Sequence, residues 1–327
     1  VRLCMTVIGV AGCTALIVAA FGLLNSFEPM THDQFETIYK YDAVVVPKDS
    51  GSADNLSFLT DTLDKNSNVK HSMLVSQQEC TVTHGNKIKD SDTNLVVPQN
   101  PEKFDEIVSL HTRKGKEELK LSDSGVMLSE KMCSELGIKT GDKITLNVDG
   151  KKAEVKVSGI FEQYLYNFVY MTPTAYKSLF GSDCTYNMAD VALKDTSDSA
   201  CDKFGSQVLS DDKIAAVSYI ASSLNEFKNM LNSLDMVVTV MIICAAALAF
   251  VVLYNLTNIN IAERVREIAT FKVLGFYNRE TSSFIYKENI ILTLLGIFVG
   301  LFLGNLLTGF IIQTVEVDNI MFGRDIY

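Results

Sequence analysis

The segment INIAERVREIATFKVLGF, Ile259–Phe276, decides how this chain is organised. It is a charged stretch between two apolar runs, each long enough to cross a membrane. Ile261, Val265 and Ile268 recur at helical spacing, so they are expected on one face of a helix. The pattern predicts a short amphipathic helix that is tethered to a membrane span at each end.

Charged side chains cover the other faces of this predicted helix. Their spacing supplies two supporting i,i+3 pairs, Glu263–Arg266 and Arg264–Glu267. Gly275 stands where a C-terminal glycine is expected to stop the helix. A short charged helix fixed at both ends is suited to passing motion between a soluble partner and the bilayer, although an ordinary connecting helix would share the pattern.

Hydrophobic residues make up 47% of the chain, and they are concentrated in uncharged runs. The three runs are Met5–Leu24, Met236–Leu256 and Ile290–Ile312. Each has about 20 residues or more, enough to cross a hydrocarbon core of roughly 30 Å. The first is longer than the apolar part of a secretory signal and has no small-residue cleavage site after it. The chain is therefore expected to be a multi-pass membrane protein.

Loop charges set the expected orientation. The loop between the second and third runs is rich in basic residues: Arg264, Arg266, Lys272, Arg279 and Lys287. Basic loops stay in the cytoplasm, so the polar stretch between the first two runs is expected outside the cell membrane. That stretch, residues 25–235, has 22 Lys and Arg against 32 Asp and Glu, a net charge of −10. Such a charge disfavours nucleic acid as a partner; it suits cationic peptides, or serves solubility alone.

Short strands and helices alternate in the outer stretch without a regular βαβ period, which predicts an α+β domain. The clearest element is a hairpin over Lys143–Phe161, with a turn at Asp149-Gly150 between alternating strands. The other predicted strands are Tyr41–Pro47, Asn94–Pro98, Val169–Thr172, Asp190–Leu193 and Ala216–Ile220. The predicted helices are Ser26–Lys40, Asn55–Asn66, Ser129–Leu136, Thr174–Phe180 and Ser199–Leu209. The stretches 87–92 and 113–120 are expected to be loops or strand edges.

Motifs for chemistry are missing from the sequence. There is no GxxxxGK[ST] phosphate loop, no HExxH and no GxSxG, and the four histidines have no metal-ligand spacing. The seven cysteines form no CxxC pair, so free thiols are expected ahead of a single disulfide. We therefore expect a chain that is not an enzyme, with no catalytic, cofactor-binding or metal-binding residues.

The third apolar run carries a ridge of glycines: Gly296, Gly300 and Gly304. Small residues at i,i+4 spacing let helix backbones approach closely in lipid. The ridge is predicted to pack either against another helix of the same chain or, alternatively, at a sliding interface between two chains.

The string ERVREIATFKVLGF closely resembles the signature that follows the second transmembrane helix in FtsX-like permeases, the MacB/FtsX group of ABC transporter subunits. The stretches GVMLSEKMCSELGIKTGDKITLNVDGKKAEVKVSGIFEQY and VYMTPTAYKSLFG are similar to the exoplasmic core domain of MacB-type permeases. The resemblance implies that an ABC ATPase docks on the cytoplasmic loop and binds the ATP. The ATPase-coupling residues that it implies are Glu263, Arg264, Arg266, Glu267, Lys272 and Gly275.

The family repeat has four spans, so the chain is expected to stop before the fourth span of a longer protein. Six segments follow: transmembrane helices at 1–26, 235–257 and 289–313, an exoplasmic domain at 27–234, a cytoplasmic coupling segment at 258–288 and an exoplasmic segment at 314–327. The expected partners are the ATPase, membrane lipids and a second permease repeat or subunit.

The expected function is that of a permease subunit that couples ATP hydrolysis by its partner to movements of the exoplasmic domain. The output would be export, extraction or activation of something outside the cytoplasm. The alternative is a membrane sensor or regulatory protein whose outer domain binds a ligand. A neighbouring ATPase gene would favour the permease, and a histidine kinase gene alone would favour the sensor.

Overall fold

The computed structural model describes residues 2–49, 51–90, 92–263, 265–273, 278–315 and 320–323. The α-helices of these residues are α1 (Arg2–Asn25), α2 (Phe27–His32), α3 (Ala53–Lys65), α4 (Glu130–Leu136), α5 (Pro173–Phe180), α6 (Asp198–Val208), α7 (Ile220–Glu263), α8 (Val265–Val273) and α9 (Asn278–Val315). A π-helix at Asp33–Ile38 and a 3-10 helix at Pro101–Glu106 complete the helical elements. The strands are β1 (Ala43–Pro47), β2 (Val69–Glu79), β3 (Thr81–His84), β4 (Lys87–Lys89), β5 (Thr93–Pro98), β6 (Val126–Ser129), β7 (Lys143–Val148), β8 (Lys151–Phe161), β9 (Asn167–Tyr170), β10 (Met188–Leu193) and β11 (Ile214–Tyr219).

The chain divides into two compact units. One takes in Val1–Glu28, Asn229–Glu316 and Phe322–Tyr327, and the other takes in Pro29–Lys228 and Val317–Met321. We call the first the membrane unit and the second the exoplasmic unit.

Within the described residues, three helical stretches are long and apolar enough to cross a membrane: Val7–Ile38, Ile220–Ile259 and Ile290–Ile312. The second is part of α7, which begins at Ile220, well before the apolar run that starts at Met236. It begins early because Leu224, Phe227 and Leu231 continue a helical pattern of partly or fully buried side chains into the polar stretch.

The strands of the exoplasmic unit form one mixed sheet. The strand order is β11-β1-β10-β2-β5-β9-β6-β8-β7-β3-β4. The pairs β5–β9 and β6–β8 are parallel, and the other recorded pairs are antiparallel. Helices pack on this sheet, so the predicted α+β class is confirmed.

Two hydrophobic clusters support this sheet. One lies under β5, β6, β7, β8 and β9 and includes Leu128, Met132 and Leu146. The other lies under β1, β10 and β11, with α3 and α6 packed on it, and includes Leu63 and Phe204. Each cluster buries side chains that alternate along its strands, which is why these sequences form strands with one face in the core.

The predicted elements of the outer stretch recur with small shifts at their ends. The Asp149-Gly150 turn has φ of 49° and 81° at its two residues, as a two-residue hairpin turn requires. Three strands that no pattern predicted, β2, β3 and β6, add to the sheet. Polar residues such as His71 and Gln77 hide the alternation of β2, which lies in the middle of the sheet.

Candidate functional site

The predicted coupling segment is helical on both sides of residue 264. The side chain of Arg266 lies exposed on α8, and Thr270 Oγ1 donates a hydrogen bond to its carbonyl oxygen at 3.0 Å. The structure gives only backbone positions for three other predicted coupling residues: Glu263 at the end of α7, and Glu267 and Lys272 in α8. Arg264 and Gly275 lie outside the described residues.

The described apolar residues of this segment are exposed, as Arg266 is. Ile261 is 38% exposed, Val265 56% and Val273 88%; the side chain of Ile268 is not described. The described side chains of this segment, apolar and polar, are thus exposed. Such a surface is open to a membrane or to a protein.

The glycine ridge of α9 lies against α1. A Cβ atom built on Gly300 would be 2.6 Å from Thr14 Cβ and 2.8 Å from the backbone oxygen of Ala11. Gly296 meets Val10 in the same way, at 2.8 Å. Because these distances are far inside van der Waals contact, only glycine allows this approach.

The contacts between glycines of one helix and valine or threonine side chains of the other continue along α1 and α9, and we call this series of contacts the ladder. A Cβ on Gly304 would lie 2.6 Å from Val18 Cβ. One turn further on, the glycine is on the other helix: a Cβ on Gly22 of α1 would lie 2.5 Å from Thr308 Cγ2 of α9. Thr308 is 1% exposed, and its Oγ1 donates to the Gly304 carbonyl at 2.8 Å. The partners advance four residues at a time in the same direction on both helices. The helices α1 and α9 therefore run parallel, as the first and third of three alternating spans must.

In the exoplasmic unit, the chain that follows α1 is anchored by Gln34, in the π-helix. Gln34 is fully buried, and its Oε1 accepts hydrogen bonds from the backbone N–H groups of Tyr164 at 2.8 Å and Leu165 at 3.3 Å. We call Glu162–Leu165, which directly follows β8, the joint segment. Short π-helical turns occur frequently at functional sites.

Glu162 of the joint segment is the centre of a buried charge network. Its carboxylate accepts from Lys116 Nζ at 2.8 Å and from the Tyr164 hydroxyl at 2.5 Å, and His111 Nε2 lies 3.0 Å from it. Lys116 also lies 3.6 Å from Asp33 of the π-helix. Burial alone would raise the pKa of Glu162, but these donors lower its pKa to about 2.

The chain that follows α9 reaches the same segment. The backbone N–H of Met321 donates to the Tyr164 carbonyl at 2.8 Å, and Leu165 forms an isolated bridge with Ile320. Lys131 of α4, only 4% exposed, donates from Nζ to the Ile320 carbonyl at 2.6 Å. The joint segment is thus bonded to the residues that follow the first span and to those that follow the third.

Two buried polar atoms, Gln163 Oε1 in the joint segment and Gln34 Nε2 in the π-helix, lack hydrogen-bond partners among the described residues. Buried unpaired polar atoms are costly, and in native structures they are explained by strain, by a functional role or by a bound water or ion. No sequence pattern pointed to these residues; the one available signal was the pair of polar residues Glu162 and Gln163 inside the aromatic run IFEQYLYNFVY.

The structure does not bring the four histidines together. His32, His71, His84 and His111 each lie within 4.0 Å of a single carboxylate, at separate places in the exoplasmic unit. Among the described residues no group of three or more His, Cys, Asp or Glu side chains is placed to hold a metal ion.

Two protein families match this chain, one over its N-terminal part and one over its C-terminal part. Residues 3–201 match the MacB-like periplasmic core domain, and residues 239–326 match the C-terminal domain of FtsX-like permeases. An uncharacterized ABC transporter permease protein of Mycobacterium tuberculosis is 21% identical over 204 residues, which are 59% of this chain. The match covers 23% of that relative's length.

Two solved structures are also similar. The periplasmic region of MacB from Actinobacillus actinomycetemcomitans matches with 13% identity and a TM-score of 0.37, covering 60% of this chain and 94% of that one. The extracellular domain of the noncanonic ABC-type transporter YknZ from Gram-positive bacteria matches with 14% identity and a TM-score of 0.34, covering 55% and 98%. The family match over more than half of the residues is what identifies the chain: it belongs to the FtsX/MacB-type ABC transporter permeases, membrane proteins with a large exoplasmic domain.

Proposed function

We propose that this chain is a non-catalytic membrane subunit that transmits force, coupling ATP hydrolysis in a partner ATPase to movement of its own exoplasmic domain. The observation that carries the proposal is the joint segment. Tyr164 is bonded both to Gln34, which lies in the π-helix after α1, and to Met321, which lies in the chain after α9. A displacement of either span would reach the joint segment, which directly follows strand β8 of the exoplasmic sheet.

At the cytoplasmic end, the exposed charged side of α8 is the proposed docking element for the ATPase. Arg266 is the described residue best placed for this, since its guanidinium is exposed and forms planar two-pronged contacts with carboxylates. Val265 would face the lipid headgroups. The partner, not this chain, would bind the ATP, so the chain itself needs no cofactor.

Within the membrane, the ladder between α1 and α9 would make the two spans move as a pair. Each valine or threonine side chain fits over a glycine, and sliding by one residue would drive it into backbone. In lipid, where apolar burial gives little driving force, such close packing is what holds helices together. The remaining faces of these helices are free for lipid and for a second permease repeat or subunit.

Outside the membrane, the proposed output is mechanical. The exoplasmic domain would rearrange and act on a partner or substrate outside the membrane, by export, extraction or activation. In this proposal the chain does not form a pore for a solute.

Affinity purification of the full chain from its host membrane tests the proposal. We expect an ABC ATPase to co-purify, and its ATP turnover to change when the chain is present in lipid. Purification of a histidine kinase without any ATPase would instead support a sensor with a ligand-binding outer domain.

A further inference from the structure

A cavity of about 490 Å³ lies in the exoplasmic unit, outside the joint segment. Its walls come from the π-helix, from the residues that lead into β1 and from the first turns of α7. The volume is in the range of small-molecule sites. All of its lining residues belong to the exoplasmic unit.

Aromatic rings form one wall of this cavity. Phe35, Tyr39 and Tyr41 follow one another in contact, with ring centroids 6.1 Å apart for the first pair and 5.1 Å for the second. Tyr219 contributes a fourth ring, and its hydroxyl is held by the Cys201 carbonyl at 2.6 Å. Aromatic faces carry partial negative charge and attract cations within about 6 Å of the ring centroid.

Carboxylates add negative charge to the same lining. Asp42 is fixed there because its Oδ2 accepts from the backbone N–H of Leu193 at 2.7 Å, while Oδ1 has no hydrogen-bond partner among the described residues. Glu36 is the second lining carboxylate. Lys40, the one basic residue in the lining, donates its ammonium to the Asp105 carbonyl at 2.8 Å, and Asp105 lies outside this cavity.

A further carboxyl lies behind the tyrosines. Asp190 is 7% exposed, and burial raises its pKa to about 7. It lies close enough to Tyr39 and Tyr41 to raise the pKa of both, after the larger effect of their own burial. The negative charge of the lining therefore comes from Asp42 and Glu36, because Asp190 is only partly ionised near pH 7, and Tyr39 and Tyr41 stay neutral.

We propose that this cavity binds an organic ammonium group, with the cation over Tyr39 and Tyr41 and beside the free oxygen of Asp42. The rings supply the apolar, polarisable faces that a poorly hydrated cation prefers, and Asp42 supplies the opposite charge. The net charge of −10 on the whole chain would draw cations toward it. Because the lining includes the π-helix and Ile220 at the start of α7, the ligand would bind between the chain segments that lead to the first and second spans.

The test is a calorimetric titration of the full chain in detergent with choline and with its neutral isostere, 3,3-dimethylbutan-1-ol. The two probes have the same shape and differ in charge, so the comparison isolates the cationic contribution. We expect choline to bind about tenfold more tightly. Equal affinity for the two, or no heat with choline up to tens of millimolar, would overturn the proposal.

Variants of one ring locate the site. Tyr41→Leu should weaken choline binding about tenfold and Tyr41→Phe should preserve it, because phenylalanine keeps the aromatic face. Tyr166→Leu is the matched control, since Tyr166 is 53% exposed and outside the lining. If Tyr41→Leu fails to fold, Asp42→Asn replaces it, because asparagine keeps an oxygen for the Leu193 N–H and removes only the charge. Unchanged choline affinity in the folded variant would contradict the assignment.

Discussion

Glu162 and Asp190 are both buried carboxyl groups, and their surroundings act on them in opposite directions. At Glu162, donors from Lys116, Tyr164 and His111 outweigh burial and bring the pKa down to about 2, from an ordinary value of 4.5. At Asp190, burial without a basic partner among the described residues brings the pKa up to about 7, from 3.8. The two groups should therefore contribute with opposite signs to the pH dependence of the free energy of unfolding.

The Glu162 carboxylate should stabilise the folded state near neutral pH but not in strong acid. Replacing Glu162 should therefore lower the free energy of unfolding only near neutral pH. A lowered pKa means that the folded state favours the carboxylate, so this stability is complete above pH 4.5 and is lost as the pH falls through about 2. We expect Glu162→Gln to cost about 3 kcal/mol near pH 7, since it breaks a buried charge pair. Thermal unfolding of the full chain in detergent between pH 2 and 7 measures this.

The control for Glu162 is Glu154→Gln, which changes an exposed carboxyl on the same strand, β8, and should alter little. A loss in the Glu162 variant that is the same at pH 2 as at pH 7 would show that the charge network does not stabilise the joint segment.

Replacing Asp190 should have the reverse effect. A raised pKa means that the folded state favours the neutral acid, so the wild-type chain loses stability as the pH rises from about 4 through 7. Asp190→Asn cannot ionise. It should match the wild type near pH 4 and exceed it at pH 8 in the same unfolding measurement. The exposed Asp64→Asn variant serves as the control, and a variant of Asp190 that is less stable at pH 8 would refute this account.

At the scale of elements, the pairing of α1 with α9 depends on glycine at defined positions. A side chain at Gly300 would meet the backbone oxygen of Ala11, which cannot move aside as a side chain can. Gly300→Leu should therefore destabilise the membrane unit by about 1–3 kcal/mol or more. The matched control lies on the same helix, since a Cβ on Gly309 would have nothing within 4 Å.

The measurement for the ladder is the melting temperature in detergent of Gly300→Leu beside Gly309→Leu, both confirmed to insert into membranes. Only the first should melt at a lower temperature. Equal melting of the two variants would mean that the contact between α1 and α9 contributes nothing to stability.

The sequence predicts the glycine ridge of α9 and the hairpin because both depend on local spacing, but it does not say which helix the ridge packs against. Glycines four residues apart share one helix face, and Asp149-Gly150 meets the demand of a tight turn for positive φ. The joint segment could not be found in that way. Lys131 and Ile320 are 189 residues apart, and nothing in either local sequence indicates that they meet.

The start of α7 is a second feature that the local sequence does not predict. Apolar content marks only the part of the helix suited to lipid, from Met236 onward, whereas the helix itself begins at Ile220. The spacing of Leu224 and Phe227 was the available sequence signal for the start of the helix. A few apolar residues in a polar stretch do not distinguish a helix from a loop. Contacts with Phe35, whose ring lies 6.1 Å from that of Phe227, complete the burial.

At the scale of the whole molecule, the exoplasmic unit has its own sheet and two hydrophobic clusters, so it should fold without the membrane spans. Residues 27–234 expressed alone should be soluble and should unfold cooperatively. They lack Ile320 and Met321, so the hydrogen bonds from Lys131 to the Ile320 carbonyl and from Met321 to the Tyr164 carbonyl are lost, and the fragment should melt below the same domain in the full chain. Calorimetry of the fragment without detergent tests this, and an unfolded or aggregated product would count against a separate domain.

In the proposed function, the chain passes work from a cytoplasmic ATPase to its exoplasmic domain. Arg266 is the most accessible point to interrupt that path, because its exposed side chain contributes little to folding. Removing one partner of an interfacial charge pair costs about 2–5 kcal/mol, enough to release a docked ATPase.

The decisive measurement is ATP turnover by the partner ATPase with the full chain in reconstituted membranes, comparing wild type, Arg266→Lys and Arg266→Glu. All three should insert equally. We expect Arg266→Lys to keep most of the coupled turnover and Arg266→Glu to lose both ATPase binding and coupling. Binding and turnover that are unchanged in Arg266→Glu would contradict the proposed role of α8 and, with it, the account of this chain as a transmitter of force.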